Sequence, residues 1–395
     1  MLVAALLRVF RLGHQSLWVD EILSWGSATI GERLTVAGVL ENIHGPFYGL
    51  ILHAWGNLAG ESEWALRFPA AVAGVAAVPV TAAVASLWLG RATAGWAAWA
   101  MAASPFLVWY GQEARNYALV VLCSGLAMLA LLKLRLRWGA GAIVGYLAAS
   151  AAGLLSNFSF VFLAPLHLYE WVAAVVGRRR KLIVAGVVTL ALVAVMAPWI
   201  PQVRQTWAVH RLLPGTAGEA GPSLRGETTF HWAAVPFALH GFAGGYGWGP
   251  PVRELRRGAP LEVVRRHAPA VAASAVVFGT LGVLGLAALA RRKRLTEGLL
   301  WAIVPLLLLS WVAAMNVKVF HPRYVAVAIP GLYLILAAGL ADLRPRLRVG
   351  FALAVACLWG VSLQHQYFDP RYGKEDVRGA ARVLAERARP GERVI

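Results

Sequence analysis

The chain has 395 residues, of which 59% are hydrophobic and 14% charged, with a formal net charge of +18. A soluble globular domain carries roughly 25% charged and 45–50% apolar residues, so most of this chain has lipid for a solvent. The cations fall in short bursts between apolar runs and no nucleotide-loop, zinc-finger or RNA-binding signature is present, which points to a membrane topology and away from nucleic acid.

Residues 1–12 form a short apolar run interrupted by Arg8 and Arg11. No small-residue cleavage site follows, so it is not read as a signal peptide. It is shorter than the ~20 residues a spanning helix needs and reads as a first helix cut short. The next run, SLWVDEILSW (16–25), sets Asp20 and Glu21 side by side at the exit of that helix. Adjacent helical residues point about 100° apart, so the two carboxylates have different jobs. One role is a general base; the other is a helix N-terminus whose dipole favours acids.

NIHGPFYGLILHAW (42–55) follows, with His44 either capping a turn or bonding a sugar or phosphate. Segment 46–60 is apolar but only about half a bilayer long as a helix, and reads as an amphipathic helix lying in the interface, with His53 buried and bonded. SEWALRFPA (62–70) puts Arg67 at the lip of a spanning helix, where it either snorkels to headgroups or grips a phosphate. The spanning runs after the first are 67–89, 93–109, 116–134, 139–155, 158–177, 182–199, 269–290, 297–315, 324–341 and 349–364. Cys123 and Cys357 lie inside such runs and imply neither a disulfide nor a sulfur-based metal site.

Five basic bursts separate these runs: Arg91; Lys133, Arg135 and Arg137; Arg178 to Lys181; Arg291 to Arg294; and Arg344, Arg346 and Arg348. Every pair of bursts is separated by an even number of crossings, so all five lie on the cytoplasmic side. The map has 11 helices, the N-terminus inside and the C-terminus outside; Arg253 to Arg266 is the one basic stretch it places outside. Polar residues then collect on the outer side, in 13–66, 104–116, 200–268, 316–323 and 365–395. SPFLVWYGQEARNYAL (104–119) carries Tyr110, Gln112, Glu113, Arg115 and Tyr117, with Glu113 and Arg115 free to pair with each other or with Asp20 and Arg67. NVKVFHPRYVAVAIPGLYL (316–334) brings Lys318, His321, Arg323 and Tyr324 to another helix lip, as interface anchors or phosphate partners. In the tail, 375–388 reads as one amphipathic helix with Val377, Ala380, Ala381, Leu384 and Ala388 on one face. Residues 394–395 read as the first strand of a further extracytoplasmic region beginning at 365.

The run LW-x-DE after a first membrane segment resembles the hallmark of the GT-C glycosyltransferases, especially family 39, which includes protein O-mannosyltransferases and the bacterial aminoarabinose transferase. The ordered set SLWVDE (16–21), HGPFY (44–48), ALRFPA (65–70), SPFLVWYGQEARNYAL and HPRYVAVAIPGLYL (321–334) is similar as well. The resemblance implies an all-α polytopic fold, with residues 1–364 as the transmembrane domain. It also implies inverting transfer of a sugar, mannose-like, from a polyprenyl-phosphate donor to an extracytoplasmic acceptor in a prokaryotic plasma membrane. It maps the base onto Asp20 and a supporting role onto Glu21. Arg67 and the Arg115 hairpin would shape the pocket, and His44, Arg323 and Tyr324 would contact donor or lipid. Tyr110, Gln112, Glu113, Tyr117 and His321 complete the candidate donor-binding set. The chain departs from many relatives in having His44-Gly45-Pro46 where they have HPP or KP, and in its short first helix.

Phosphate is a good leaving group, so a base near the acceptor and positive charge near the phosphate suffice. Asp20 with Glu21 is a thin ligand set for Mg²⁺ or Mn²⁺; some of the superfamily use a divalent ion, but none is expected here. A transporter or flippase for a polyprenyl-linked lipid is the alternative. That class favours inverted repeats and charges at the bilayer midplane, whereas the spanning runs here are nearly uncharged apart from Glu170. A scaffold subunit is a third reading, and it would tolerate loss of Asp20.

Overall fold

In lipid an apolar run can satisfy its backbone only within itself, and a helix does so. The computed structural model describes residues 1–29, 45–201, 230, 232–257, 260–315 and 318–387; His44, the N-terminal part of the loop that carries it, and residues 388–395 lie outside that set. Among the described residues eight helices, some continued by a short 3₁₀ turn, are long and apolar enough to cross a bilayer: Glu63–Trp88, Tyr117–Leu136, Phe158–Val175, Arg179–Trp199, Ala268–Arg291, Leu295–Ala314, Pro322–Asp342 and Pro345–Phe368. Each matches one expected run. The three other expected spans are shorter helices: Leu2–Val9, Arg91–Ala103 and Ala140–Ser156.

The run expected over 93–109 is two helices, Arg91–Ala103 and Pro105–Gly111. Proline disfavours helical backbone in the residue before it. Ser104 accordingly leaves the helix at ψ 122°, and its hydroxyl caps the new one by accepting from Leu107 N at 3.3 Å. Segment 46–60 is the expected helix, Pro46–Ala59, with Pro46 in its first turn. His53 is a correction: it is half-buried rather than part of the core, and it bonds Asn57 one turn on along the same helix at 3.1 Å.

Small residues let helices approach closely. A side chain at Gly285 would meet the Ile335 carbonyl at 2.0 Å, and one at Gly339 the Leu281 carbonyl at 2.4 Å, so Ala268–Arg291 and Ile329–Asp342 touch backbone to backbone. The basic bursts converge on one end of the bundle. Arg135 reaches Glu170 at 2.9 Å and Glu297 at 3.5 Å; Arg292 bonds Asp342 at 2.6 Å and the Leu89 carbonyl at 3.2 Å. Asp20, Glu21, Arg67, Glu113, Arg323 and Lys374 meet at the opposite end. The common sidedness inferred from crossing parity is thus matched by direct contact.

Candidate active site

Glu21 opens the helix Val19–Thr29, reaching back to the Trp18 N–H at 3.3 Å in the manner of a capping box. The carboxylate is fully buried and grips Arg67 bidentately, Nε to Oε1 at 2.8 Å and Nη2 to Oε2 at 2.7 Å. The remaining Arg67 donors go to the carbonyls of Leu12 (2.9 Å), Gln15 (2.8 Å) and Ser16 (2.9 Å). All five N–H groups are used, so Arg67 neither snorkels nor offers a donor to a phosphate; it is a brace that folds residues 12–16 around the entry to the Asp20 helix. That corrects its expected place among the donor-binding residues.

Gln112 is a second brace. Its amide donates to the carbonyls of Phe10 at 2.8 Å and Arg8 at 3.1 Å, satisfying the end of the first helix. Arg8 itself is fully buried and bonds the carbonyls of Met101 at 2.9 Å and Ala102 at 3.0 Å. It fits because Gly74 and Gly111 leave room: a side chain at Gly74 would stand 2.7 Å from Arg8 Nε.

The 112–116 hairpin completes the frame. Ala114 N donates to Glu21 Oε1 at 2.7 Å. Arg115 bonds the Asp20 carbonyl at 3.1 Å and the Ser24 hydroxyl at 2.7 Å, rather than a carboxylate. Glu113 is buried, and its oxygen lies 3.8 Å from the ammonium of Lys374, not beside Arg115 or Arg67 as the two expected pairings had it. Lys374 also stands 3.8 Å from Glu21 and donates to the Gln112 carbonyl at 2.8 Å.

Asp20 points elsewhere. Its Oδ2 is 2.6 Å from Arg323 Nη1, and its side chain is 22% exposed, against 0% for Glu21 and 1% for Glu113. Arg323 lies within 5.4–5.7 Å of the rings of Trp18, Tyr117 and Tyr324, an aromatic surround that favours a cation. Pro322–Ala328 is a short 3₁₀ turn; His321 caps it, its ring nitrogen accepting from Arg323 N at 3.3 Å. Tyr110 bonds Tyr246 at 2.9 Å and packs edge-on to Tyr117 at 5.2 Å, closing the floor. Lys318 sits over the Tyr324 ring at 4.1 Å.

Three carboxylates and the cations Arg67, Arg115, Arg323 and Lys374 therefore share one partly dry site. Burial works against charge on Glu21, but Lys374, Arg67 and the Ala114 N–H outweigh it and hold its carboxyl below the usual value. Burial pushes the Glu113 carboxyl up, with Lys374 opposing and Glu21 adding to the rise. Burial pushes the Lys374 ammonium down against the pull of both acids. Among the described residues no three His, Cys, Asp or Glu side chains are grouped to hold a metal ion. Sequence reasoning brought Asp20, Glu21, Glu113, Arg115, Tyr117, Arg323 and Tyr324 to one place; it missed Lys374, Arg8 and Tyr246.

The same arrangement of helices occurs in solved structures. ArnT from Cupriavidus metallidurans in the apo state matches with a TM-score of 0.58 at 17% identity, over 90% of this chain and 62% of that one. ArnT bound to undecaprenyl phosphate matches at 0.56 and 18% over the same shares. The chain has the GT-C fold. The GT-C frame extends to the oligosaccharyltransferase AglB of Archaeoglobus fulgidus, in complex with an inhibitory peptide and a dolichol-phosphate: TM-score 0.54, 14% identity, 99% of this chain and 57% of that one. Residues 43–203 match the model of the dolichyl-phosphate-mannose-protein mannosyltransferase family. No curated protein sequence matches the chain. It spans 62% of the length of the ArnT structures. The apolar helices and the GT-C fold make it an integral membrane protein.

Proposed function

We propose that the chain is an inverting glycosyltransferase that moves a sugar from a polyprenyl-phosphate donor to an acceptor hydroxyl, with Asp20 as the general base. The GT-C fold and the family model over 43–203 support lipid-linked sugar transfer; the family's description favours a mannose donor. One observation carries the assignment of the base: of the three clustered carboxylates, Asp20 alone is partly open, and it faces Arg323 at 2.6 Å.

The chemistry balances on these groups. The acceptor oxygen bonds to the anomeric carbon from the face opposite the phosphate. The bond from that carbon to the phosphate oxygen breaks, and polyprenyl phosphate departs with the electron pair. The acceptor proton passes to Asp20. Arg323, held among aromatic rings, is placed to stabilise the phosphate as charge develops. As the guanidinium turns to the phosphate it loosens its hold on Asp20, leaving that carboxylate free to take the acceptor proton. Glu21, with Arg67, acts through position, holding the first turn of the helix that carries Asp20. The basic bursts at the opposite end favour an extracytoplasmic site in a prokaryotic plasma membrane.

The test is transfer or hydrolysis of a radiolabelled polyprenyl-phosphate-mannose donor by purified protein in nanodiscs. Asp20→Asn is expected to lose roughly 10²–10⁴-fold in turnover, the usual worth of a general base, while still binding donor. Full activity in that variant would move the base elsewhere. A silent wild type directs the search to other sugars on the same lipid.

A further inference from the structure

The tail after the last spanning helix crosses the site rather than leaving it. Asp369 caps the Pro370–Tyr372 turn, and Tyr372 stacks on His365 at 5.0 Å and bonds the Gly249 carbonyl at 2.9 Å. Gln15 Oε1 then accepts from Lys374 N at 3.0 Å, Arg253 donates to the Lys374 carbonyl at 2.7 Å, and Ser16 Oγ accepts from Val377 N at 3.0 Å. Arg378 closes the strap on Glu63 at 2.5 Å. The segment is pinned on both sides of one side chain, that of Lys374, which is buried inward.

We propose that Lys374 is a positioning residue of the site, its ammonium shared between the buried carboxylates of Glu21 and Glu113 so that the tail locks the Asp20 helix to the 112–116 hairpin. The proposal rests on the reading of Asp20 as base, but the charge argument is independent of it. All five donors of Arg67 are spent on Glu21 and backbone, and none reaches Glu113. The charged groups that face Glu113 are Lys374, Glu21, Arg323 and Arg115, and the phenols of Tyr48, Tyr110 and Tyr246 face it as well. Arg115 is committed to the Asp20 carbonyl and Ser24, and Arg323 to the Asp20 carboxylate. Lys374 is therefore the cation in closest contact with Glu113, and without it Glu21 keeps Arg67 while Glu113 has no cation in direct contact. Glu113 would then keep its proton to a higher pH, and its neutral form would leave Arg323 bound more tightly to Asp20 and less free to turn to the phosphate.

The pH profile of kcat/KM for donor turnover separates this from a merely structural role. Lys374→Met should move the acid limb upward by about one unit or more, the effect of removing an opposite charge at this range. Lys374→Arg should restore the wild-type limb, and adding Glu113→Gln to Lys374→Met should abolish the shift. The double variant removes the charge imbalance and serves where the single one does not fold; an acid limb that stays displaced upward in it overturns the proposal, because Glu113 would then not be the group that moves the limb. A wild-type profile and turnover in Lys374→Met, beside an inactive Asp20→Asn, overturns it while leaving the base assignment standing. An active Asp20→Asn beside a shifted Lys374→Met does the reverse.

Discussion

Arg323 Nη1 lies 2.6 Å from Asp20 Oδ2, so the one partly open carboxylate of the site is held by a guanidinium that itself sits among three aromatic rings. In the proposed reaction that guanidinium exchanges the carboxylate for a phosphate. Arg323→Gln is expected to lower kcat/KM for the donor by about 10–100-fold, from the ~1.5–3 kcal/mol of a charged hydrogen bond. Arg323→Lys keeps the charge but not the planar fork and should fall between the two. Donor titration of all three forms checks the order.

The Arg67–Glu21 pair predicts a stability effect distinct from activity. Arg67→Met leaves Glu21 buried with only Lys374 opposite, and three carbonyls without their donor. Breaking a buried pair from one side costs about 3–5 kcal/mol, whereas removing both partners costs less. Unfolding of Arg67→Met, Glu21→Met and the double variant in one detergent should therefore show the double variant above the sum of the singles.

The same pair sets an acid limit. The carboxyl of Glu21 is held below its ordinary value, near 4.3 in an unfolded chain. A group with a depressed folded-state pKa stabilises the fold above the unfolded value and loses that contribution as pH falls through the folded one. Wild-type thermal stability should drop as pH is lowered below about 4, and the drop should be shallower in Glu21→Gln. Parallel melting curves at a series of pH values decide it.

The membrane frame was legible in the sequence because apolar length and basic bursts are local signals, and both survive into the structure at Glu63–Trp88 or Pro345–Phe368. The break at Ser104-Pro105 was legible in principle, since proline marks it, but the apolar run across it masks the signal. Asp20 and Glu21 could be separated by helical geometry alone. Arg67 could not be resolved: a lip arginine reads the same whether it meets a headgroup, a phosphate or five protein acceptors. Lys374 gave no signal at all. It stands between Gly373 and Glu375 in a polar tail, where a lysine is ordinarily solvated, and only the fold turns it inward. The tail read as the entry to a separate region, yet its first turns belong to the site.

Residues 369–378 reach back across the segments that precede the long helices Glu63–Trp88 and Tyr117–Leu136. During synthesis those loops emerge first, carrying Asp20, Glu21 and Glu113 with no lysine between them. The acid cluster is completed only after the Pro345–Phe368 helix has entered the bilayer and its following segment has folded back. On this account a chain made only as far as the Pro345–Phe368 helix carries an unfinished site, and the proposed centre is completed once the segment that follows that helix has folded back.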